Sequence, residues 1–464
     1  MRKLLFIAGL LTILSGQISA QESKTRADFR GESVRFKQSC ETFSLKSIPG
    51  CAELLFTDHP LHIAVGSIAP QNGFGAGGAY VGNWTPNELW RTSWDADAIA
   101  SSNASWRAGF YYKAIHTPIE KIIVTTRSSG PLPRSNLRVH PYTILNFKVQ
   151  SISLDQLFYY GLGQNSIASN ASVFGMRETI VGPDVIVPVL RGLNVSLLGE
   201  FNGRFVDLRE NHHEPTPSIE QVFTEATAPG LVTQPAFLQL GEGARLEPAL
   251  FNDHLRLDYL AQFQQFVAPS DSHYSFRRFT TDLDHTFPLY RNSGSYGPKP
   301  TNGPDECAAA VGATKCAAIQ RSREGSVEIR LRIIESIASA GSVVPLYFQP
   351  TLGGSDVNGN SWLPSYNDYR FRAPNALVLR EGIEHSIWGP IGVNFLADQG
   401  KVSLSRGDIS FDHLAHSFSA GLTLRAGGLP ALSLAFAWGG PEGPHTIANV
   451  NASLLGGSAR PSLY

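Results

Sequence analysis

The sequence is poor in charge and in methionine. Asp, Glu, Lys and Arg together make up 17% of the 464 residues, whereas about a quarter is usual for a soluble protein. The 38 basic residues do not outnumber the 39 acidic ones, which argues against a nucleic acid as partner. Only two methionines are present, so there is no methionine-rich binding groove. Glycine is abundant at 44 residues, and low charge with many glycines is typical of strands whose outer face meets lipid.

The sequence also has no apolar run long enough to span a membrane as a helix, which takes about 20 residues. One shorter run, Leu4–Leu14, follows Arg2-Lys3 and precedes Ile18-Ser19-Ala20. This order is typical of a secretory signal peptide, and we predict that residues 1–20 are removed after Ala20. A membrane anchor is the alternative, which the shortness of the run disfavours.

Four cysteines form two close pairs in the sequence, Cys40 with Cys51 and Cys307 with Cys316. An exported protein enters an oxidising compartment, so we predict one disulfide within each pair. Four cysteines allow three connectivities, and only proximity selects this one. A metal site is the alternative, although neither pair has the spacing of metal-binding cysteines.

Motifs for catalysis, cofactor binding and metal binding are absent or weak. There is no G-x-S-x-G nucleophile motif, and the adjacent His212 and His213 lack the spacing of a zinc site. The segment Gly73–Gly78 matches the dinucleotide-binding pattern, but no helix pattern follows it. A glycine-rich first barrel strand is the better interpretation of this segment. We therefore expect a protein that is not an enzyme and binds no cofactor or metal ion.

Four segments between Ile391 and Leu455 alternate strictly between apolar residues and polar or small ones. A period of two predicts strands with one apolar and one polar face. Each segment is about as long as a tilted membrane-spanning strand, roughly 9–11 residues. The polar face is small and hydrophilic, which indicates a membrane barrel with a hydrated lumen. The apolar face comprises Ile391, Val393, Phe395, Ala397, Phe418, Ala420, Leu422, Leu424, Leu432, Leu434, Phe436, Trp438, Ala448, Val450, Ala452 and Leu454.

Similar alternation recurs upstream, at residues 106–114, 193–204, 254–264 and 326–333. There the polar face carries charges of both signs, such as Glu200 and Arg330, which would be costly in the core of a β-sandwich. In a barrel lumen such charges can pair or be hydrated, so we predict an all-β fold, a transmembrane antiparallel β-barrel. We count about fourteen to sixteen strand-length segments between residues 62 and 455, and sixteen strands would suit a bacterial barrel. A large soluble sandwich is the alternative.

This interpretation divides the chain into a signal peptide (1–20), a short periplasmic segment (21–60) and an outer-membrane barrel (61–464). The segment 21–60 is too short for a substantial core of its own. Two long loops interrupt the strands, at roughly 209–235 and 292–324. Because long loops usually lie at the extracellular end of such barrels, we expect both at that end.

The last third of the chain carries several recognisable motifs. They are Pro345-Leu-Tyr-Phe-Gln-Pro-Thr-Leu-Gly-Gly354, Trp362-Leu-Pro-Ser-Tyr-Asn-Asp-Tyr-Arg-Phe-Arg372, Leu396-Ala-Asp-Gln-Gly-Lys-Val402 and Ser417-Phe-Ser-Ala-Gly-Leu-Thr-Leu-Arg425. In these motifs the chain resembles the BamA/TamA bacterial surface antigen family. The first two are similar to a strand and an inward-folded loop of that family, and the third to its strand with a D-x-G motif.

The resemblance implies a sixteen-stranded outer-membrane barrel, here without the periplasmic transport-associated repeats that precede the barrel in the family. It implies a barrel that forms a pore or assists the assembly of outer-membrane proteins or lipid. The partners it implies are outer-membrane lipid and either unfolded outer-membrane proteins or small solutes, and we expect a monomer. The alternative function is a surface-display or binding barrel that acts through its extracellular loops.

The resemblance also implies an ion pair, because the family's inward loop has an arginine that reaches a carboxylate on the D-x-G strand. Here the loop motif reads Leu363-Pro-Ser-Tyr366 and lacks that arginine, while Asp398 takes the carboxylate position. A partly desolvated carboxylate prefers a cationic partner, so we predict that Arg370, or else Arg372, replaces it. A hydrated Asp398 without a fixed partner is the alternative. The candidate residues of the inward loop and the lumen are Tyr366, Asp368, Arg370, Arg372, Asp398 and Gly400.

Overall fold

The computed structural model of this chain describes residue 34 and residues 61–117, 142–211, 215–296, 319–388, 391–426, 429–450 and 461–463. In these residues nearly all regular structure is β-strand, and the helices are single turns. None of the helices in this part of the chain is long and apolar enough to cross a membrane. The predicted signal peptide, the segment 21–60 apart from residue 34, and the cysteines Cys40, Cys51, Cys307 and Cys316 lie outside the described residues, so both disulfides stay predictions.

The strands of the first half are β1 (Leu61–Ser67), β2 (Phe74–Asn87), β3 (Trp90–Ser101), β4 (Trp106–His116), β5 (Thr143–Tyr159), β6 (Ser172–Leu190), β7 (Val195–Glu210), β8 (Phe237–Leu246) and β9 (Ala249–Leu250). Those of the second half are β10 (Leu255–Val267), β11 (Phe276–Tyr296), β12 (Ile319–Ala338), β13 (Thr351–Leu352), β14 (Phe371–Arg372), β15 (Asn375–Trp388), β16 (Ile391–Ser403), β17 (Ala415–Ala426), β18 (Leu429–Trp438) and β19 (His445–Val450). The helical turns are α1 (Ile219–Val222) and five 3₁₀ turns, at Ala168–Asn170, Arg191–Leu193, Ser272–Tyr274, Leu346–Phe348 and Arg406–Asp408.

All strands except β13 and β14 belong to one sheet of seventeen strands, in which successive strands pair antiparallel. β9 pairs with β10 just beyond β8, so it continues β8, and the seventeen strands occupy sixteen positions. β12 pairs directly with β15, because β13 and β14 pair with each other. Cα atoms of β1 and β19 approach within 8 Å, so the first and last strands lie side by side. The predicted all-β, antiparallel fold is confirmed, and the described strands occupy close to the predicted sixteen positions.

The two faces of the sheet differ as the alternation predicts. In β7 the outward side chains Leu197, Phe201 and Phe205 are about half exposed, whereas Asn202 and Arg204 on the inner face are buried. The same division, apolar outside and polar inside, holds in β4, β10, β12, β16, β17 and β18. A soluble sandwich would bury its apolar face, so this distribution instead suits a barrel with lipid outside. We call the space inside the sheet the lumen.

Apolar burial is concentrated where connections between strands fold against the inner face. The larger cluster of buried side chains surrounds Phe266 and Phe348. The second cluster packs Trp362 and Leu363, from the connection between β12 and β15, against Val402 on β16. Apolar contact therefore contributes to holding the connection after β12 against the wall.

Three details of the sequence interpretation are corrected. The glycine-rich segment Gly73–Gly78 contributes to a strand, as predicted, but this is the second strand, β2. The second long loop is shorter than predicted, because β11 continues to Tyr296 and β12 begins at Ile319. The prediction that both long loops lie at one end was wrong. Three strand positions lie between the two loops, and successive strands run in opposite directions. The strands that flank the two loops therefore meet them at opposite ends of the sheet.

Candidate functional site

The connection between β12 and β15 contains a compact loop that reaches into the lumen, and we call residues 353–370 the inward loop. β13 and β14 pair at its base, with Thr351 opposite Arg372. Gly353 begins the loop at a φ of +101°, and a Cβ atom added there would lie 2.5 Å from the Cβ atom of Arg370. Glycine is therefore required for the two ends of the loop to approach this closely.

The inward loop holds its shape through its own hydrogen bonds. The Trp362 N–H donates to the Gly354 carbonyl (3.1 Å), which pairs the two sides of the loop. At the tip the Asp356 carboxylate accepts the N–H groups of Asn358 (2.9 Å) and Asn360 (2.8 Å). Side-chain bonds of this kind are the reason why Asp and Asn favour turns. The loop is thus a small ordered hairpin.

Asp398 anchors this hairpin to the lumen wall. Its carboxylate accepts two hydrogen bonds of 2.7 Å from the Nε and Nη2 atoms of Arg380, which lies directly opposite on β15. It also accepts the main-chain N–H of Leu363 in the inward loop, at 3.1 Å. The Arg380 Nη2 atom donates in addition to the Ser361 carbonyl of the loop. The Asp398 side chain is only 1% exposed, so the hydrogen bonds by which this charged pair holds the loop are shielded from water.

Trp362 completes the anchor by packing against two arginines of the wall. The Arg380 guanidinium lies 4.3 Å from the centre of the indole ring, and that of Arg330 lies 5.3 Å away. Arg330 is itself held by Asp282, through bonds of 2.8 and 2.6 Å. Cations at such distances are attracted to the indole face, so the wall charges bind the loop through its ring as well as its main chain.

Two further wall residues allow the loop to lie close to the sheet. The Ser365 N–H donates to the hydroxyl of Ser417 on β17, at 2.8 Å. On β16 a Cβ atom added to Gly400 would lie 3.1 Å from Leu352 and 3.5 Å from Leu363. The missing side chain of Gly400 therefore leaves the space that these two leucines fill.

Arg370 and Glu442 form a second ion pair, at the base of the inward loop. Glu442 lies between β18 and β19, and its carboxylate also accepts the Asn367 N–H at 2.8 Å. The Arg370 Nη1 atom donates to the Ser166 hydroxyl at 2.7 Å, in the connection between β5 and β6. Arg370 thus joins the inward loop to two neighbouring connections.

Asp368 and Tyr366 stabilise the same region. The Asp368 carboxylate accepts the Ser355 N–H (2.7 Å) and the side-chain amide of Gln71 (2.6 Å), which lies between β1 and β2. The Tyr366 ring packs edge-on against Phe371, with centroids 5.1 Å apart. Burial, reinforced by the nearby Glu442 carboxylate, raises the pKa of the Tyr366 phenol.

The prediction that Arg370 or Arg372 pairs with Asp398 was wrong, and so was the alternative of a hydrated Asp398. Arg370 pairs with Glu442, while the Arg372 Nη1 atom donates to the Leu346 carbonyl at 2.6 Å. The partner of Asp398 is Arg380, which the sequence interpretation did not consider. The physical reason is the register of β15 and β16, which places a wall arginine directly opposite the carboxylate.

Beyond the inward loop, part of the lumen is a chamber of about 560 Å³. The side chains that line it include Asp95, Lys113, Lys148, Asp184 and Glu200. Lys148 and Asp184 pair at 3.1 Å, whereas four side-chain amides donate to Glu200, at 2.6–3.2 Å. Paired and amide-bound charges thus line part of this chamber, together with apolar side chains such as Trp94 and Phe147.

No group of three or more His, Cys, Asp or Glu residues that could hold a metal ion is found in the described part of the chain. The described geometry is that of a docked loop beside a polar chamber. Because the docked loop occupies part of the lumen, its position can affect how much of the lumen is open.

No model of a known protein family matches the sequence, and no curated protein is similar to it in sequence. Similar solved structures include BamA from Haemophilus ducreyi lacking POTRA domains 1–3, at 10% identity and a TM-score of 0.49, which covers 84% of this chain and 69% of that one. CdiB from Escherichia coli is similar at 13% identity and a TM-score of 0.47, and CdiB from Acinetobacter baumannii at 10% identity and a TM-score of 0.43. They cover 84% and 83% of this chain, which spans 62% and 57% of theirs. In fold, this chain is similar to the BamA and CdiB barrels.

Proposed function

We propose that this chain is an outer-membrane β-barrel of the assembly or translocation type, whose lumen passes or handles other molecules. The observation that supports this best is the inward loop, fixed to the lumen wall through Arg380 and Asp398. Removing two charges from water is costly, and here that cost is offset by contacts that determine where one loop lies. A loop in this position sets the width of the lumen.

The outer face and the chamber support the same function. Large apolar side chains cover the outside of the sheet, which suits contact with outer-membrane lipid. Inside, the chamber of about 560 Å³ is lined by charged, amide and apolar side chains, so it suits hydrated solutes or a polypeptide that carries both polar and apolar groups. We propose a monomer without catalytic activity that carries out one of two tasks: conduction of solutes, or assistance in the assembly of outer-membrane proteins or lipid.

The test is conductance of the purified barrel in a planar lipid bilayer. We expect discrete channel openings, and we expect Asp398→Asn to increase their size or their fluctuation, because the loop is less firmly held. Arg245→Gln is the matched control, since Arg245 and Asp258 form an exposed pair. Failure of both the wild-type and the Asp398→Asn protein to conduct would exclude a solute pore.

Cell fractionation tests the location independently. We expect the protein in the outer-membrane fraction, migrating differently before and after heating in detergent, with its amino terminus at Gln21 after signal cleavage. Heat-modifiable migration reports a folded barrel that resists detergent. Recovery as a soluble periplasmic protein would contradict the outer-membrane proposal.

A binding barrel is the second candidate, and the connection between β16 and β17 favours it. Leu404 and Phe411 in this connection are each 60% exposed, and exposed large apolar side chains can contribute to a binding surface. Replacing residues 404–413 by a glycine–serine linker separates the candidates. Loss of adhesion to host cells or surfaces with unchanged conductance would favour display over transport.

A further inference from the structure

The segment Pro461–Leu463 lies inside the lumen and is clamped there by one peptide bond. The Nη2 atom of Arg204, on β7, donates to the Ser462 carbonyl at 2.8 Å. The Leu463 N–H donates to the side-chain oxygen of Asn358, at the tip of the inward loop, at 2.7 Å. These two groups belong to the same trans peptide unit, so they point in opposite directions. A single peptide unit therefore bridges the lumen wall and the inward loop.

An apolar pocket receives the side chain that follows this peptide bond. Leu463 is 4% exposed and belongs to the larger cluster of buried apolar side chains. A cavity of about 280 Å³ remains beside it, lined by apolar side chains such as Ile68 and Ile152 and by polar ones such as Gln150 and Arg332. Leu463 therefore packs at the apolar side of a cavity that also has a polar side.

Arg204 is positioned by the wall itself. Its Nη1 atom pairs with Glu178 at 2.7 Å, and its Nε atom donates to the Gln239 side chain. Arg204 is 2% exposed, and the acceptor for its Nη2 atom is the Ser462 carbonyl. A buried donor without an acceptor is unfavourable. The Nη2 atom of Arg204 therefore favours an acceptor such as a carbonyl oxygen at the position that Ser462 occupies.

We propose that Arg204, Asn358 and the apolar pocket form a peptide-binding site in the lumen, with the segment 461–463 as its resident ligand. The ligand class is a polypeptide with an apolar side chain after the clamped peptide bond. Both polar contacts are to main-chain groups, so the site recognises one peptide unit and the apolar residue that follows it. Recognition of main chain plus one pocket is a general mode of peptide binding.

The chamber provides the route by which another peptide can reach this site. Pro461 and Ser462 line the chamber of about 560 Å³ on one side and the smaller cavity on the other. The segment 461–463 therefore lies between the chamber and the smaller cavity. A peptide that displaces this segment can enter from the chamber. The proposal concerns binding and holds whether or not the barrel conducts.

The test uses a fluorescent peptide, Ala-Arg-Pro-Ser-Leu-Tyr, which has the sequence of residues 459–464. We expect it to bind a variant lacking residues 461–464 and to bind the full chain at least about tenfold more weakly, because the resident segment competes. The same peptide with aspartate in place of leucine should bind at least about tenfold more weakly.

Two single variants locate the binding site. Introducing Asn358→Ala into the shortened chain should weaken peptide binding several-fold to about tenfold, the effect of one hydrogen bond. Asn146→Ala is the matched control, because Asn146 faces the chamber but donates to Asp184 at 2.6 Å. Equal binding by the full and shortened chains, or an Asn358→Ala variant that binds like the control, would overturn the proposal.

Hydrogen exchange in the unaltered full chain gives a second test that does not depend on the shortened variant folding. We expect the Leu463 amide to exchange at least about tenfold more slowly than in an unstructured peptide. Asn358→Ala should remove most of this protection. Exchange of the Leu463 amide at the unprotected rate in the full chain would refute a resident ligand.

Discussion

Arg380 and Asp398 face each other across β15 and β16, joined by two hydrogen bonds of 2.7 Å. Their side chains are 15% and 1% exposed, so the pair lies on the lumen wall with almost no access to water. Each partner also bonds to the main chain of the inward loop, Arg380 to Ser361 and Asp398 to Leu363. The pair therefore belongs to the sheet but determines the position of the loop.

Breaking this ion pair should destabilise the protein strongly. Asp398→Asn leaves Arg380 buried without its counter-charge, and we expect a loss of about 3 kcal/mol in the free energy of unfolding. A double-mutant cycle with Arg380→Gln should give a coupling energy of at least about 1 kcal/mol. The measurement is denaturant unfolding in detergent micelles.

The control for this cycle is the pair Arg245–Asp258, whose side chains are 45% and 41% exposed. Exposed pairs contribute only about 0–1 kcal/mol, because water screens them. Additive effects at Arg380 and Asp398, or a coupling energy no larger than in the control pair, would show that the pair does not hold the loop.

A side chain at Gly400 should push the inward loop off the wall. The Cβ atom of Gly400→Val would lie 3.1 Å from Leu352 and 3.2 Å from the Leu377 carbonyl, so we expect a cost of about 1–3 kcal/mol from overpacking. Gly392→Val is the control on the same strand and face, where the nearest atom to the added Cβ lies at 3.4 Å. Thermal unfolding of both variants measures the difference, and similar losses would contradict a close contact specific to Gly400.

Removing the charge of Glu442 should loosen the base of the inward loop without unfolding the sheet. Glu442→Gln deprives Arg370 of its partner, and these side chains are only 10% and 8% exposed. We expect the Asn367 amide, which donates to Glu442 at 2.8 Å, to exchange at least about tenfold faster. Glu247→Gln is the control, since Glu247 is 43% exposed and pairs with Arg245 at the surface. Unchanged exchange at Asn367 would show that the loop base does not depend on this ion pair.

The two disulfides remain a prediction from sequence. We expect Cys40–Cys51 and Cys307–Cys316 to form, each stabilising the folded protein by roughly 2–3 kcal/mol through the short loop it closes. Peptide mapping without reductant measures the connectivity directly. Free thiols in the exported protein, or a cross-link between the two pairs, would be inconsistent with this prediction.

The local sequence pattern was sufficient to predict much of the fold. Alternation with a period of two is a property of neighbouring residues, so it predicts which side chains of β7 or β16 face outward without knowledge of the rest of the chain. The partner of Asp398 could also have been found in this way. β15 ends at Trp388 and β16 begins at Ile391, so the two strands follow each other closely in the sequence. Arg380 and Asp398 are nearly equally far from that connection, and antiparallel register then places them opposite each other.

The positions of the connections were decided by tertiary structure alone. Arg370 meets Ser166 across 204 positions of the chain, and Arg204 meets Ser462 across 258. Such contacts depend on how the sheet curves and which strand ends it brings together, and neither the period of a strand nor the spacing of a motif contains that information. The sequence by itself determined a sheet with an apolar outside and a polar inside, because those properties are local. Only the tertiary structure decided which carboxylate holds Arg370 and that a peptide segment lies in the lumen.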